Sequence, residues 1–280
     1  MTDIVILDGA RTAIGGFGGS LASVPPTETA AHVSRAAMAR AGVEPAQIGH
    51  VVFGHVINTE PKDMYLSRVA AINAGIPEAV PAMNVNRLCG SGAQAIVSAA
   101  QSLMLGDADF ALAGGAESMS RAPYILPQAR WGQKMGDMQA IDMMLATLHC
   151  PFGTGHMGVT AENVAAKYGI SRQDQDAFAL ESQQRAAAAI EQGYFKSQIE
   201  PLEVKSRRKS VIFEVDEHPK TTSADALGGL RAAFQKDGTV TAGNASGIND
   251  GAAAIVLASA TAAVSSSSRK RLYFSISITT

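Results

Sequence analysis

Cys89 is the residue of this sequence best placed to act as a nucleophile. It stands in NRLCGSG, residues 86–92, where a strand-like run ends and a helical pattern begins. Unpaired backbone N–H groups and the positive end of the helix dipole favour a thiol there as its reactive anion. Gly90 and Gly92 lack Cβ atoms, so they permit a sharp turn and leave room for a bulky substrate. The N–H of Cys89 is itself a candidate donor to an acyl oxygen on which charge develops.

A second interpretation of Cys89 stays open on spacing alone, because most unpaired cysteines are small buried apolar side chains. Cys150, in LHCPFG, lacks a helix-start context and is interpreted as structural. Two cysteines in such different surroundings do not form a disulfide framework, so a reducing cytoplasm is the expected location. The histidines show no ligand spacing with one another or with paired carboxylates, so no metal site is predicted.

Alternating strands and helices are expected to position this cysteine. Strand-like apolar runs occur at 4–7, 50–56, 82–89 and 110–118. Helical patterns occur at 28–41 and 91–105. This order is typical of an α/β domain with a mostly parallel mixed sheet. The glycine-rich ARTAIGGFGGS leads into a loop with Pro25 and Pro26, so it lacks the strand–loop–helix context of a dinucleotide site.

The pattern changes in the middle of the chain. Residues 119–249 are predicted to form an inserted, α-rich domain between an α/β domain at 1–118 and its return at 250–264. Helices are expected there at about 160–168 and 172–192, the second with Ser171 as its N-cap and Gly193 as its terminator. The methionine-rich stretch of this insertion indicates a plastic core or an assembly surface.

Two further segments have unusual composition. The basic run KSRRKS at 205–210 is interpreted as a solvated surface. The tail at 265–280 alternates like an edge strand, or is the translated remnant of a shifted reading frame.

The overall composition excludes some classes of partner. A formal net charge of −2 argues against nucleic acid or an anionic membrane as the main partner. No apolar run approaches the ~20 residues of a membrane span, and the N-terminus MTDIVILDGAR is not expected to be a secretory signal.

Four stretches together resemble the thiolase family, most of all the bacterial acetyl-CoA acetyltransferases and β-ketothiolases of biosynthetic type: NRLCGSG, GGAESMS, HMGVTAENVA and TAGNASGINDGAAA. The resemblance extends from residue 9 to about residue 262. It implies the N-terminal half of a thiolase, with the insertion as a loop domain that embraces CoA. That loop domain also carries a loop used to form a homotetramer, a dimer of dimers.

The resemblance also implies site residues. Cys89 accepts an acyl group from acyl-CoA, and a second acetyl-CoA then condenses with it, or CoA cleaves a 3-ketoacyl-CoA in reverse. CoA is thus a substrate, and no permanently bound cofactor is expected. The implied contacts to the pantetheine arm and the acyl group come from Leu148, His156, Met157, Ala242, Gly243, Ser246 and Ile248. His156 is implied to bind rather than to catalyse, and Glu117, in GGAES, to support its loop.

Lys220 stands where thiolases often have an arginine near the adenine end of CoA. It keeps the positive charge but not the planar guanidinium.

Thiolase chemistry needs bases that this sequence lacks. In the family they come from a Gly-His-Pro loop and a Cys-x-Gly-Gly-Gly loop, while an Asn-Glu-Ala-Phe loop positions a water, and none of the three occurs here. The C-terminal thiolase half is therefore expected to be absent by truncation. Three interpretations follow: an incomplete form of an ordinary thiolase, a truncated chain that binds CoA without turnover, or a scaffold subunit pairing with full-length thiolases.

Overall fold

The computed structural model describes residues 3–205 and 210–265. Its strands are β1 (Ile4–Arg11), β2 (Gly15–Gly16), β3 (Ile48–Gly54), β4 (Ala82–Val85), β5 (Phe110–Ser118), β6 (Tyr124–Ile125), β7 (Ile141–Asp142), β8 (His149–Cys150), β9 (Gly155–His156), β10 (Leu202–Lys205), β11 (Ser210–Phe213) and β12 (Asn249–Ser259). Its α-helices are α1 (Pro26–Ala41), α2 (Leu66–Asn73), α3 (Ser91–Leu105), α4 (Met143–Thr147), α5 (Met157–Tyr168), α6 (Arg172–Glu191), α7 (Ala224–Gly228) and α8 (Ala260–Ser265).

The helix terminators that the sequence predicts are present. Gly42 and Gly106 follow α1 and α3 in the left-handed conformation, and Gly193 has a φ of 73° just beyond α6. Ser171 caps α6 and forms a capping box with Asp174. Residues 206–209 of the basic run and residues 266–280 of the tail lie outside the described residues, so the interpretations of these segments stay predictions.

The described residues form two compact units. Unit 1 takes residues 3–121, 196–205, 210–217 and 249–265, and unit 2 takes residues 122–195 and 218–248. Among the described helices, none is long and apolar enough to cross a membrane.

Unit 1 is built on a mixed sheet with the strand order β1-β12-β5-β3-β4, and β2 pairs with β12. β3 pairs in parallel with β4 and β5, whereas β12 pairs antiparallel with β1, β5 and β2. The α/β class and the mostly parallel mixed sheet are confirmed, because β12 runs opposite to its neighbours while the other strands of this sheet run in one common direction. An apolar run indicates that a strand is buried but not the direction in which it runs, so the reversal of β12 has no signal in the sequence.

Helices cover both faces of this sheet, which accounts for its continuous apolar strands. α1 and α2 pack on one face, where the fully buried side chains include Val33, Leu66 and Val256. α3 packs on the other face, against Val52 and Leu257. Unit 1 is therefore a three-layer α/β/α arrangement whose single helix on the second face is the one that follows Cys89.

The structure divides the chain differently from the predicted continuous insertion at 119–249. Residues 196–205 and 210–217 belong to unit 1 rather than to the middle unit. The guanidinium of Arg40 donates to the carbonyls of residues 197–199 and to the Glu200 carboxylate, the last at 2.7 Å. The backbone of Arg11 exchanges hydrogen bonds with Gln198 and Glu200. Polar contacts over such a sequence separation leave no periodic signal, so composition alone did not reveal them.

Asp216 completes this attachment within unit 1. Its two carboxylate oxygens accept from the Arg11 guanidinium at 2.7 and 3.0 Å, and one also accepts from the Ile14 N–H at 2.8 Å. Burial raises the pKa of Asp216, but the hydrogen bonds from Arg11 and Ile14 outweigh burial, so the pKa lies below its ordinary value of 3.8. A carboxyl whose pKa is lowered by folding stabilises the fold above the unfolded-state pKa and loses that contribution as the pH falls through the lowered value.

Replacing Asp216 with asparagine is expected to lower the unfolding free energy by about 2 kcal/mol near neutral pH, because charge-assisted hydrogen bonds are lost. The difference from wild type should close as the pH falls below the ordinary carboxyl pKa of 3.8. Urea unfolding over a series of pH values measures both effects. Glu181→Gln, which breaks an exposed ion pair with Arg185 on α6, is the control and should change little. A difference in unfolding free energy that does not change with pH would contradict the stabilising role of the Asp216 charge.

Candidate functional site

Cys89 lies on a turn between β4 and α3, two residues before the helix begins. β4 ends at Val85, earlier than the predicted end at residue 89, and Gly90 is the N-cap residue of α3. Cys89 is exposed, so the interpretation of Cys89 as a buried apolar residue is wrong. The structure thus places an accessible thiol at the N-terminal end of a 15-residue helix.

Hydrogen bonds within residues 86–91 hold this turn. The Leu88 N–H donates to Asn86 Oδ1 at 3.0 Å. The Ser91 hydroxyl accepts from the Arg87 N–H at 2.9 Å and donates to the Leu88 carbonyl at 2.6 Å. The Ser91 N–H also donates to that carbonyl, at 3.0 Å. The backbone on both sides of Cys89 is therefore fixed by its immediate neighbours.

Leu88, directly before the cysteine, has a strained backbone. Its φ is +47°, and it is the one non-glycine residue with a positive φ in the described part of the chain. The left-handed conformation costs an L-residue about 1–2 kcal/mol. The Leu88 side chain is 57% exposed, so its burial does little to offset that cost. The hydrogen bonds of the turn must impose this conformation, and such strain is concentrated at functional sites.

Glycines in the sheet let α3 begin close to the ends of β3 and β5. A Cβ atom on Gly54 would lie 2.6 Å from the Ser91 carbonyl carbon and 2.8 Å from the Gly92 nitrogen. A Cβ atom on Gly115 would lie 3.8 Å from the Gly92 Cα. Gly92 itself has open space where a side chain would be, in agreement with the room expected beside Cys89. This role of Gly54 has no signal in the sequence, since a glycine that ends an apolar strand does not indicate what packs against it.

His55, which is buried, and Glu117, which is half-buried, form a polar pair at the same ends of β3 and β5. The Glu117 carboxylate accepts from the N–H groups of Val56 and Ile57 at 2.9 and 3.1 Å. His55 Nδ1 lies 2.8 Å from the Ala116 carbonyl and 3.5 Å from Glu117 Oε1. Burial raises the pKa of Glu117, and the nearby His55 opposes that rise. Glu117 thus supports the loop after β3, which is the role expected of it.

In unit 2, the structure brings Leu148, His156 and Met157 together. The Met157 N–H donates to the Leu148 carbonyl at 2.8 Å, and His156 pairs with His149 across the β8–β9 hairpin. His156 caps α5, its Nδ1 accepting from the Gly158 N–H at 3.0 Å. Burial, and then the neighbouring His149, lower the pKa of His156. His156 is therefore a neutral acceptor at a helix start, and Met157 is exposed beside it.

Phe234 packs against His156, a contact that no pattern in the sequence indicates. Its ring stacks on the His156 ring, with centroids 4.8 Å apart and planes inclined by 17°. Gly158 makes this possible, because a Cβ atom there would lie 2.2 Å from Phe234 Cγ. Phe234 lies in RAAFQKD, which has no motif or periodicity that points to a distant histidine.

The loop 241–248 carries the four remaining contacts expected for pantetheine. Asn244 fixes this loop, since its Oδ1 accepts from the Thr241 N–H at 2.7 Å and its Nδ2 donates to Asp176 at 2.8 Å. Gly243 packs on the side chains of Leu227 and Leu230. The loop residues with exposed positions are Ala242 and Ser246, whereas Gly243 and Ile248 are half-buried.

Glu162 holds the residues just before this loop. Its carboxylate accepts from the N–H and hydroxyl of Thr239 and from the N–H of Val240, at 2.8 to 2.9 Å. Burial raises the pKa of Glu162, but these hydrogen bonds outweigh burial and the pKa lies below its ordinary value. Glu162 is therefore a structural anion and not a candidate base.

Lys220 belongs to the segment that packs beside the 241–248 loop. A Cβ atom on Gly247 would lie 1.9 Å from the ring of His218, so the two segments are in close contact. The Lys220 N–H donates to Gln183 Oε1 at 2.9 Å, and its side chain is exposed. Lys220 thus has an anchored backbone and an ammonium group in contact with solvent.

The predicted site residues divide between the two units. Cys89 belongs to unit 1, and unit 2 holds Leu148, His156, Met157, Lys220, Ala242, Gly243, Ser246 and Ile248. Cys150 also lies in unit 2, half-buried on β8, where hydrogen bonds from Thr154 and then from the Phe152 N–H lower the pKa of its thiol. Within residues 3–205 and 210–265, no group of three or more His, Cys, Asp or Glu side chains is arranged to hold a metal ion.

Comparison with known proteins gives consistent matches. The family described as thiolase, N-terminal domain, matches residues 4–261. The β-ketothiolase BktB of Cupriavidus necator is 60% identical over 257 residues, which are 91% of this chain and 65% of that protein. An acetyl-CoA acetyltransferase of the same organism is 49% identical, over 93% of this chain and 67% of its own length. The chain therefore spans about two thirds of the length of the curated relatives it matches.

Solved structures match to the same extent. The crystal structure of the Bacillus anthracis acetyl-CoA acetyltransferase has a TM-score of 0.92 and 45% identity, covering 95% of this chain and 68% of that one. The human mitochondrial 3-ketoacyl-CoA thiolase in complex with CoA has a TM-score of 0.89 and 39% identity, with coverages of 94% and 66%.

Proposed function

The chain belongs to the thiolase family, and from that premise we propose that Cys89 accepts an acyl group from acyl-CoA. The sulfur attacks the thioester carbonyl, the carbon–sulfur bond to CoA breaks, and CoA leaves as its thiol while a thioester forms on Cys89. The observation that carries this proposal is the exposed position of Cys89 on the turn before α3. The open space over Gly92 supports the approach of a bulky thioester.

Unit 2 supplies the proposed contacts to CoA. Leu148, His156 and Met157 form one contiguous surface, and the 241–248 loop is held by Asn244. A solvent-exposed ammonium on Lys220 suits a phosphate of the nucleotide end. These contacts are the ones that the resemblance implies, and the CoA complex of the human thiolase supports CoA as the ligand.

The complete reaction proposed is the condensation of two acetyl-CoA molecules to acetoacetyl-CoA, or thiolysis of a 3-ketoacyl-CoA in reverse. Its bases are the His and Cys that the resemblance places in the part of the relatives that this chain does not match. The 280 residues by themselves are therefore proposed to accept an acetyl group slowly and not to turn over.

The protein is proposed to act in the cytoplasm and to form a homo-oligomer. Trp131 and Met135, which are 87% and 88% exposed in the methionine-rich stretch, support the assembly role of that segment.

Incubation of the 280-residue chain with acetyl-CoA tests the proposal. We expect one acetyl group on the peptide that contains Cys89, detected by mass spectrometry, and none in the Cys89→Ala variant. Cys150→Ser is the matched control and should be acetylated like wild type, since Cys150 has no proposed role. Acetylation of Cys150 alone, or of neither thiol, would overturn the proposal.

A thiolysis assay separates acceptance of the acetyl group from turnover. No turnover is expected, and turnover that Cys89→Ala abolishes would refute the proposed inactivity of the 280 residues. A chain that binds acetyl-CoA without acetylation, and co-purifies with a full-length thiolase, would support the scaffold alternative instead.

A further inference from the structure

We propose that Leu88 and Ser91 are positioning residues that together hold the Cys89 thiol at the start of α3, an inference that rests on the proposed role of Cys89. The hydrogen bonds of Ser91 hold the turn, and they keep Leu88 in its strained backbone conformation. Neither side chain is proposed to contact the acyl group or to transfer a proton.

The backbone strain is at Leu88, the residue that directly precedes Cys89. Leu88 has a φ of +47°, and the direction of the chain into Cys89 depends on that angle. Its side chain is 57% exposed, so packing does not select the conformation. A leucine freed from other restraints returns to a negative φ, which would rotate the following peptide and carry the sulfur away from the helix end.

Ser91 supplies the restraint. Its hydroxyl accepts from the Arg87 N–H and donates to the Leu88 carbonyl, so one buried side chain binds the backbone on both sides of Leu88. Ser91 is only 5% exposed, and its Cβ lies 2.8 Å from where a Cβ on Gly54 would be. The close packing of Ser91 on Gly54 of β3 therefore holds its side chain in place, with the hydroxyl directed towards the turn.

Ser91→Ala removes the two hydrogen bonds of the hydroxyl, and it keeps the packing and the bond from the Ser91 N–H to the Leu88 carbonyl. We expect the rate at which iodoacetamide alkylates Cys89, divided by the rate for Cys150 in the same molecule, to fall about tenfold or more, because the thiol is no longer held in its exposed position at the start of α3. Peptide mass spectrometry gives both rates. Ser102→Ala, the same change further along α3, removes a long 3.4 Å hydrogen bond and should leave the ratio unchanged.

Leu88→Gly gives the decisive comparison, because glycine adopts a positive φ without strain and so needs no restraint from Ser91. The Ser91→Ala effect should shrink to roughly threefold or less in the Leu88→Gly background. If Ser91 only stabilised the fold, Ser91→Ala would speed the labelling of both thiols through partial unfolding. The change in the Cys89-to-Cys150 ratio would then be the same with leucine or glycine at residue 88. An unchanged ratio in Ser91→Ala, or equal losses in both backgrounds, would overturn the proposal.

Acetyl-CoA distinguishes this proposal from the proposed function. Ser91→Ala should lower the limiting rate of Cys89 acetylation while leaving the half-saturating concentration of acetyl-CoA unchanged. If wild-type Cys89 is alkylated but never acetylated, the proposed function fails, and the alkylation ratios still decide the role of Leu88 and Ser91.

Discussion

Replacing Gly54 with alanine is expected to lower the unfolding free energy by roughly 3 kcal/mol and to abolish acetylation of Cys89. The new Cβ would lie 2.6 Å from the Ser91 carbonyl carbon and 2.8 Å from the Gly92 nitrogen, both of which are backbone atoms of the first turn of α3. β3 cannot retreat, because Gly54 pairs with Val85 on one side and with Gly115 on the other. The helix start must therefore move, and the turn that carries Cys89 moves with it.

Urea unfolding measures the loss of stability, and mass spectrometry after incubation with acetyl-CoA measures the loss of acylation. Gly92→Ala is the matched control for stability, since it adds the same methyl group to α3 at a position with nothing within 4 Å. Helix propensity predicts that the control gains about 0.5–1 kcal/mol. A Gly54→Ala variant that unfolds at the wild-type urea concentration would show that the helix start does not rest on β3.

The elements around Cys89 were predictable from sequence because local chemistry determines them. The glycine after α3 correctly predicted the last residue of that helix, and the apolar run of β5 correctly predicted both ends of that strand. The placement of α3 was not predictable, because it depends on Gly54, a residue whose partner is 37 positions away and in another element. Local patterns report which segment is helical or buried, and not which atoms of another segment come within contact distance.

The same limit applies to unit 2 and to the boundary between the units. The motif HMGVTAENVA located His156, but the stack with Phe234 joins two segments with no shared periodicity. Arg11 and Asp216 form a bidentate ion pair across most of the chain, and this pair is part of what attaches residues 210–217 to unit 1. Ionic and aromatic pairs of this kind are specified by three-dimensional approach, so a single sequence contains both partners without indicating that they meet.

Replacing Gly158 with alanine is the second change with a large expected effect. Its Cβ would lie 2.2 to 2.4 Å from three ring atoms of Phe234, including Cγ, the atom that joins the ring to the chain. Rotation of the ring about its own axis does not move Cγ, so the whole side chain must leave. That movement breaks the stack on His156 and strains the Gly158 N–H to His156 Nδ1 cap of α5. We expect a loss of roughly 2–3 kcal/mol in unfolding free energy.

A double-mutant cycle isolates this contact. Phe234→Ala removes the ring, so the added methyl group at residue 158 should cost under about 1 kcal/mol in that background, near the ordinary effect of a surface substitution. Gly228→Ala, which adds a methyl group in α7 with nothing within 4 Å, is the control and should not lower stability. Calorimetric titration with acetyl-CoA gives the functional consequence, because Phe234 is stacked on His156, a proposed contact to CoA. We therefore expect Gly158→Ala to weaken binding and Gly228→Ala to leave it unchanged, whereas additive stability losses in the cycle would show that Phe234 is not what the alanine displaces.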